Sequence, residues 1–265
     1  MIAWFSGTGN SWQVAHMLSE ATGNRLVRMV HPKGKDQTFP QEWPTEFGLV
    51  FPVYGWRLPK AVESFVEKLP PYPTTSNTYV YAVLTCGDDI GLTDCVLRKA
   101  LKQKGWPLHA IFSVQMRNTY VCLPGFDTDS LATAGNKQAA FVERISRRII
   151  PCIQRHQPSA PSDIHPGGFA WIKTYILGPL FDRFLTSPHP FRSSSSCTGC
   201  GMCAQSCPMG NISINADRRP QWGDRCTFCL ACYHSCPHHA ISYGPFTKEK
   251  GQVKVLRMDD KDTNV

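Results

Sequence analysis

Short apolar runs and helical stripes take turns along the first 153 residues. Met1–Phe5 is an apolar run that breaks at Ser6-Gly7-Thr8-Gly9-Asn10-Ser11, after which Trp12, Val14, Ala15 and Leu18 recur at helical spacing. Arg25–Val30 alternates and predicts a second strand. Phe47–Val53 predicts a third, with Pro52, Tyr54 and Gly55 at its end. Pro59 opens a helix whose apolar face is Ala61, Val62, Phe65, Val66 and Leu69. Thr78–Leu84 predicts a fourth strand that runs into Thr85-Cys86-Gly87. Leu92, Val96, Leu97, Ala100 and Leu101 mark the next helix, Leu108–Met116 a fifth strand, and Leu131–Ile153 a long helix. Strands and helices in strict alternation predict an α/β fold: a doubly wound parallel five-stranded sheet over residues 1–156.

The pattern changes after residue 157. Prolines and glycines (Pro158, Pro161, Pro166, Gly167, Gly168) lead into an apolar stretch of Phe169, Trp171, Ile172, Tyr175, Ile176, Leu177, Leu180, Phe181 and Phe184, and Ser193–Ser196 closes it. This predicts a linker, residues 157–190, with one or two docking helices. The simpler expectation is a helix packed on the sheet domain; the sharper one is a peripheral membrane or partner-docking helix carrying Lys173 and Arg183. No run of 18 apolar residues occurs, because Gly168–Phe181 is interrupted by Lys173 and stops at Asp182, so no membrane span is expected. Met1–Phe5 lacks a charged n-region and does not read as a signal peptide.

Twelve cysteines change the picture more than any other count, since eight of them fall between Cys197 and Cys236. They form two copies of one run: Cys197, Cys200, Cys203, Cys207-Pro208 and Cys226, Cys229, Cys232, Cys236-Pro237. A shift of 29 residues superposes every cysteine, and also Ile212 on Ile241 and Ser213 on Ser242. The spacing C-x2-C-x2-C-x3-C-P is that of bacterial cubane clusters, in which the fourth cysteine ligates the other cluster. The expected ligand sets are Cys197, Cys200, Cys203 and Cys236 for one [4Fe-4S] cluster, and Cys226, Cys229, Cys232 and Cys207 for the other. Zinc has no use for three evenly spaced thiolates plus a crossed fourth. Ile212, Ile214, Leu230 and Ile241 are expected to form a dry shell, and His234, His238 and His239 to be solvated. The small α+β domain extends over 191–245, followed by a C-terminal tail, 246–265.

The formal charge of +8 invites a nucleic-acid reading. Two clusters at about −2 each and a phosphomonoester at about −2 would leave only about +2. The basic residues also form no long block, so no nucleic-acid partner is expected.

The loop Ser6-Gly7-Thr8-Gly9-Asn10-Ser11 lies between a strand and a helix, where free N–H groups make an anion site. It lacks the Gly-Lys-Ser/Thr of a nucleoside-triphosphate loop, and Trp12 stands where a dinucleotide fingerprint needs glycine. Without a lysine, the phosphate is expected to be held by neutral donors, which suits FMN at the C-terminal ends of the strands. The candidate isoalloxazine contacts are Pro52, Val53, Tyr54, Gly55 and Trp56 after strand three, Thr85, Cys86, Gly87 and Asp88 after strand four, and Asn118 and Tyr120 after strand five. Asp88 and Asp89 either face the flavin or cap the next helix, and Cys86 is read as a small buried filler.

Together, Phe5-Ser-Gly-Thr-Gly-Asn-Ser11, Phe51-Pro-Val-Tyr-Gly55, Thr85-Cys-Gly87 and both cysteine runs resemble the EFR family of ferrodoxins over nearly the full length. The resemblance implies a flavodoxin-like domain fused to a bacterial 2[4Fe-4S] ferredoxin domain. It also implies FMN, two [4Fe-4S] clusters and electron transfer in anaerobic-type metabolism. The expected function is an electron carrier with redox protein partners, ferredoxin-dependent oxidoreductases among them, in the cytoplasm. The alternatives are a flavin-dependent reductase fed by ferredoxin or NAD(P)H, and a docking module of a larger redox complex.

Overall fold

The computed structural model describes residues 1–31, 39–73, 77–247, 249–256 and 258. Part of the expected tail, residues 248, 257 and 259–265, lies outside the described residues.

Five strands form one parallel sheet: β1 (Ile2–Trp4), β2 (Leu26–Arg28), β3 (Glu46–Pro52), β4 (Tyr79–Cys86) and β5 (Ala110–Gln115), in the order β2-β1-β3-β4-β5. This is the flavodoxin-like order, with its switch point between β1 and β3. Side chains alternate across the sheet. Ala3, Phe5, Phe47, Leu49 and Phe51 pack under α2 (Lys60–Lys68) and α3 (Thr93–Gln103). Ile2, Trp4, Val50, Tyr81, Val83 and Phe112 pack under α1 (Asn10–Thr22), α4 (Leu131–Arg144) and α5 (Ile150–Gln154). Both faces are covered, which is why the central strands read as unbroken apolar runs. The expected long helix after residue 131 is interrupted by a π turn at Ile145–Ile149, and Pro151 lies at the start of α5.

The linker helix runs as α6 (Ala170–Ile172), a π turn at Lys173–Leu177, and α7 (Gly178–Phe184). It lies on the sheet domain, but by its small side. Thr174 is fully buried and its Oγ1 accepts from the Leu92 N–H at 2.8 Å. Gly178 is buried where a Cβ would stand 2.8 Å from the Arg57 side chain and 2.9 Å from the Gly55 carbonyl oxygen. Nine large apolar side chains of residues 169–185 point outward instead of into the core. Small residues spaced four apart let the backbone come close, and apolar residues on the remaining sides have nothing to pack on.

The cysteine repeat is a structural repeat as well. β6 (Phe191–Ser193), α8 (Met202–Gln205) and β7 (Ile212–Ile214) recur 29 residues later as β8 (Pro220–Trp222), α9 (Ala231–His234) and β9 (Ile241–Tyr243). The halves exchange strands: β6 pairs antiparallel with β9, and β7 with β8. Thus the repeat begins six residues before the first cysteine, at strands whose sequences, Phe-Arg-Ser and Pro-Gln-Trp, do not resemble each other.

Candidate functional site: a cleft walled by a cysteine loop

The strand ends and the cysteine domain meet at one open cleft. The sheet domain contributes Ser6, Gly7, Thr8, Asn10, Ser11, Pro52, Val53, Tyr54, Thr85, Cys86, Gly87, Asn118 and Tyr120. All thirteen are among the residues singled out from sequence. The other wall is Phe228, Cys229 and Leu230. The first loop is internally braced: the Gly9 N–H donates to Ser6 Oγ at 3.1 Å, and Ser11 Oγ lies 2.8 Å from Thr85 Oγ1. Gly7 is the point of closest approach, since a Cβ there would lie 2.5 Å from Cys229 Cβ and 3.0 Å from Tyr54 Oη. Tyr54 has its phenol pushed well above the ordinary value by burial, reinforced by Cys229 and Cys226.

Four expected residues stand elsewhere. Gly9 caps α1 in the left-handed region, where its open side receives Leu256. Gly55 lies under the Phe181 ring. Trp56 is over Gly91, with Lys173 5.5 Å from its ring centroid. Asp88 is exposed and only its carbonyl is engaged, by Gln115 Nε2 at 2.6 Å. Its neighbour Asp89 accepts from the Gly91 N–H at 3.1 Å and pairs with Lys173, so neither carboxylate lines the cleft. The linker helix claims this corner, and a one-dimensional reading could not place it there. Cys86 is buried, its thiol pushed up to about 12 by burial and then by Asp89 and Asp88; it is an unreactive filler.

Arg117 and Thr119 line the cleft and were missed from sequence. Arg117 brings a positively charged residue to the loop after β5, beside the expected neutral donors. Its carbonyl accepts from Asn10 Nδ2 at 3.1 Å, and its guanidinium donates to the Lys254 carbonyl. Asn118 spans its loop, donating to the Tyr120 and Asp127 carbonyls at 3.0 and 2.7 Å. Among the described residues the Tyr120 hydroxyl has no hydrogen-bond partner; it is closed off from solvent, and the ring packs against Phe126, Phe181 and Phe228.

The eight clustered cysteines divide into two sets. Cys197, Cys200, Cys203 and Cys236 ring a small cavity, with Ile214, Pro220 and Ile241 in its wall. Cys229, half-buried and with its thiol pushed well up by desolvation, has Cys207, Cys226 and Cys232 as its neighbouring thiols. The structure brings the fourth cysteine of each run to the other run's first three. Among the described residues no three ligand side chains converge on a point as they would around one ion. Equivalent backbone N–H groups approach sulfur in both halves: Asn211 to Cys207 Sγ and Ala240 to Cys236 Sγ, each at 3.3 Å.

Left-handed backbone recurs at matching places. Gly199, Gly201 and Gly210 have φ of 68°, 77° and 55°; their counterparts Phe228, Leu230 and His239 have 58°, 60° and 48°. Non-glycine residues adopt this region at a cost. His238 and His239 are exposed, as expected. His234 is not: it is 5% exposed, within 2.8 Å of the Thr119 carbonyl by Nε2, and accepts from the Val253 N–H at 3.2 Å. Burial lowers its pKa to about 4, which keeps the ring neutral. Of the expected dry shell, Ile214 and Ile241 face the thiol cavity, while Leu230 faces the cleft.

Residues 196–241 match the 4Fe-4S dicluster domain family, a stretch that contains all eight clustered cysteines. The chain therefore carries an iron–sulfur, electron-transfer domain beside its flavodoxin-like sheet. No curated protein matches. Among solved structures, the chain is similar to a Bacteroides uniformis protein provisionally described as a flavoprotein. Identity is 14%, with 43% of this chain and 90% of that one covered and a TM-score of 0.32. A likeness that faint adds nothing to the reading of the cleft. Among the described residues no helix is long and apolar enough to cross a membrane.

Proposed function

We propose that this chain is an electron-transfer protein that holds one FMN and two [4Fe-4S] clusters and relays electrons between redox partners in anaerobic-type metabolism. The observation that carries the reading is the shared wall: Cys229, with Phe228 and Leu230, lines the same cleft as the Ser6–Ser11 loop. Cys197, Cys200, Cys203 and Cys236 would ligate one cluster; Cys226, Cys229, Cys232 and Cys207 would ligate the one beside the cleft. The Ser6–Ser11 loop at the N-terminus of α1, with Arg117, would hold the FMN phosphate. Tyr54 and Tyr120 would flank the ring system.

A flavin exchanges electrons singly or in pairs and a cubane singly, so the cofactors supply the redox chemistry. The chain's own work is positioning. Gly7 lets the phosphate loop lie against the Cys229 loop, and Phe228 and Leu230 keep water from the space between. Protein purified without oxygen should contain about eight irons, matching labile sulfide and one FMN per chain. In stopped-flow oxidation of the reduced protein, the flavin and cluster absorbances should change together. Cluster oxidation that leaves the flavin spectrum untouched would end the relay reading, and a flavin-free preparation would end the FMN assignment.

A further inference from the structure

The outward face of the linker helix has no role in the cleft. Of the large apolar residues exposed among those described, nine belong to residues 169–185: Phe169, Trp171, Ile172, Tyr175, Ile176, Leu177, Leu180, Phe184 and Leu185. Phe169 is 81% exposed, Phe184 64% and Trp171 59%. The helix is fastened along one narrow line: Thr174, Gly178, the Lys173–Asp89 pair, and Asp182 with Arg57 at 3.4 Å. Those contacts turn two of the segment's charged groups inward and leave a convex apolar ridge.

Charge selects the occupant. Between residues 169 and 192 the exposed arginines are Arg183 and Arg192, and no acidic residue is exposed. The acid of that stretch, Asp182, is engaged by Arg57. Shape selects it further. A second helix, from another copy or another protein, covers one seam of a helix. Here the apolar residues fan over all sides except the docked line, and only a fluid apolar phase covers them together. Trp171 and Tyr175 are the residue types favoured at the boundary between acyl chains and headgroups. A helix of about 15 residues reaches only about 22 Å, so it would lie on a bilayer without crossing it.

We propose that the 169–185 ridge docks this protein onto an anionic lipid surface. The ridge is rooted beside the cleft: the Phe181 ring lies 5.7 Å from that of Tyr120 and 6.2 Å from that of Phe228. Docking therefore holds the cleft at the membrane surface. The inference needs no cofactor and stands apart from the relay reading.

The test is flotation of the full-length holoprotein with vesicles of phosphatidylcholine containing about a quarter phosphatidylglycerol. The protein should float with these vesicles, about tenfold less with phosphatidylcholine alone, and less again at high salt. Trp171→Ser combined with Leu180→Ser should abolish flotation while iron and flavin contents stay at wild-type levels. Arg183→Glu with Arg192→Glu should weaken it and leave the apolar ridge intact. Tryptophan emission should shift to the blue on vesicle addition in the wild type and not in Trp171→Phe. Wild-type protein that stays at the bottom of the gradient overturns the proposal. So does a stable wild-type dimer, in sedimentation equilibrium, that the ridge variant converts to monomer; the ridge would then be covered by a second copy.

Discussion

Gly7 is the residue on which the contact between the two domains turns. A methyl group there would meet Cys229 Cβ at 2.5 Å and the Cys229 carbonyl at 3.2 Å. Neither neighbour is the free end of a flexible side chain, so one loop must move. Gly7→Val should cost about 1–3 kcal/mol, the usual range for overpacking, and should push the phosphate loop off the cysteine loop. The expected result is at least a tenfold weaker flavin affinity, read by fluorescence on dilution, with the iron content retained. Unchanged affinity would mean that the two loops do not share the site. The left-handed residues make a related point. Glycine fills three such positions in the first half of the repeat, whereas Phe228, Leu230 and His239 fill them in the second. The fold around the thiols demands the conformation, and two of these residues then serve as cleft wall. Each carries a backbone penalty of order 1 kcal/mol.

At the scale of elements, α4, its π turn and α5 are held to the linker by one buried carboxylate. Asp163 is 4% exposed and accepts from Arg148 at 2.9 and 2.7 Å and from the Ala160 N–H at 2.7 Å. The Arg148 hydrogen bonds hold the Asp163 carboxyl below the usual carboxylate range, against its burial. As pH falls the unfolded chain therefore takes up the proton first. The stability from this pair is complete above the unfolded value of about 3.9 and is lost below it. Asp163→Asn should cost about 1–2 kcal/mol at neutral pH, a figure reduced because the Arg148 side chain is largely solvated. The gap between the thermal midpoints of variant and wild type should narrow progressively as pH falls below about 3.9. A gap that does not narrow there would show that the contact is packing alone.

Most of these elements were legible in the sequence because both periods were clean. Ile2–Trp4, Phe47–Phe51 and Val80–Leu84 sit in strands covered on both faces, and the α2 stripe of Ala61, Val62, Phe65 and Val66 is buried as its spacing requires. The cysteine register survived into α8 and α9 and into the strands after them. What stayed hidden depends on contacts distant in the chain. Arg117 lies more than a hundred residues from the loop it joins, and the Phe228–Leu230 wall lies farther still. The linker misled for a different reason. A stripe of Ala170, Thr174 and Gly178 gives no hydrophobic signal, although it is the side that docks.

At the scale of the whole molecule, residues 252–256 and Met258 bind the two domains together across the Ser6–Ser11 loop. Gln252 Nε2 donates to the Tyr233 and Cys236 carbonyls at 2.6 and 3.1 Å, and the Val253 N–H donates to His234 Nδ1. Farther on, the Leu256 N–H donates to the Thr8 carbonyl at 3.1 Å, Arg117 donates to the Lys254 carbonyl, and Arg28 to that of Met258 at 2.9 Å. One strand of chain thus runs from the second cysteine loop to the anion site. Its hydrogen bonds are each worth about 0.5–1.5 kcal/mol net, and ordering the segment offsets a large part of that. A remainder of about 1–2 kcal/mol is enough to matter for ligand affinity, though not for whether the sheet domain folds. Truncation after Gly251 should therefore weaken flavin binding about tenfold, the equivalent of 1.4 kcal/mol, while far-ultraviolet circular dichroism is unchanged. Because the truncation leaves Arg117 and the Ser6–Ser11 loop in place, adding back a peptide of residues 252–265 in excess should restore part of the affinity. An equal dissociation constant for full-length and truncated protein would show that the segment only rests on the loop.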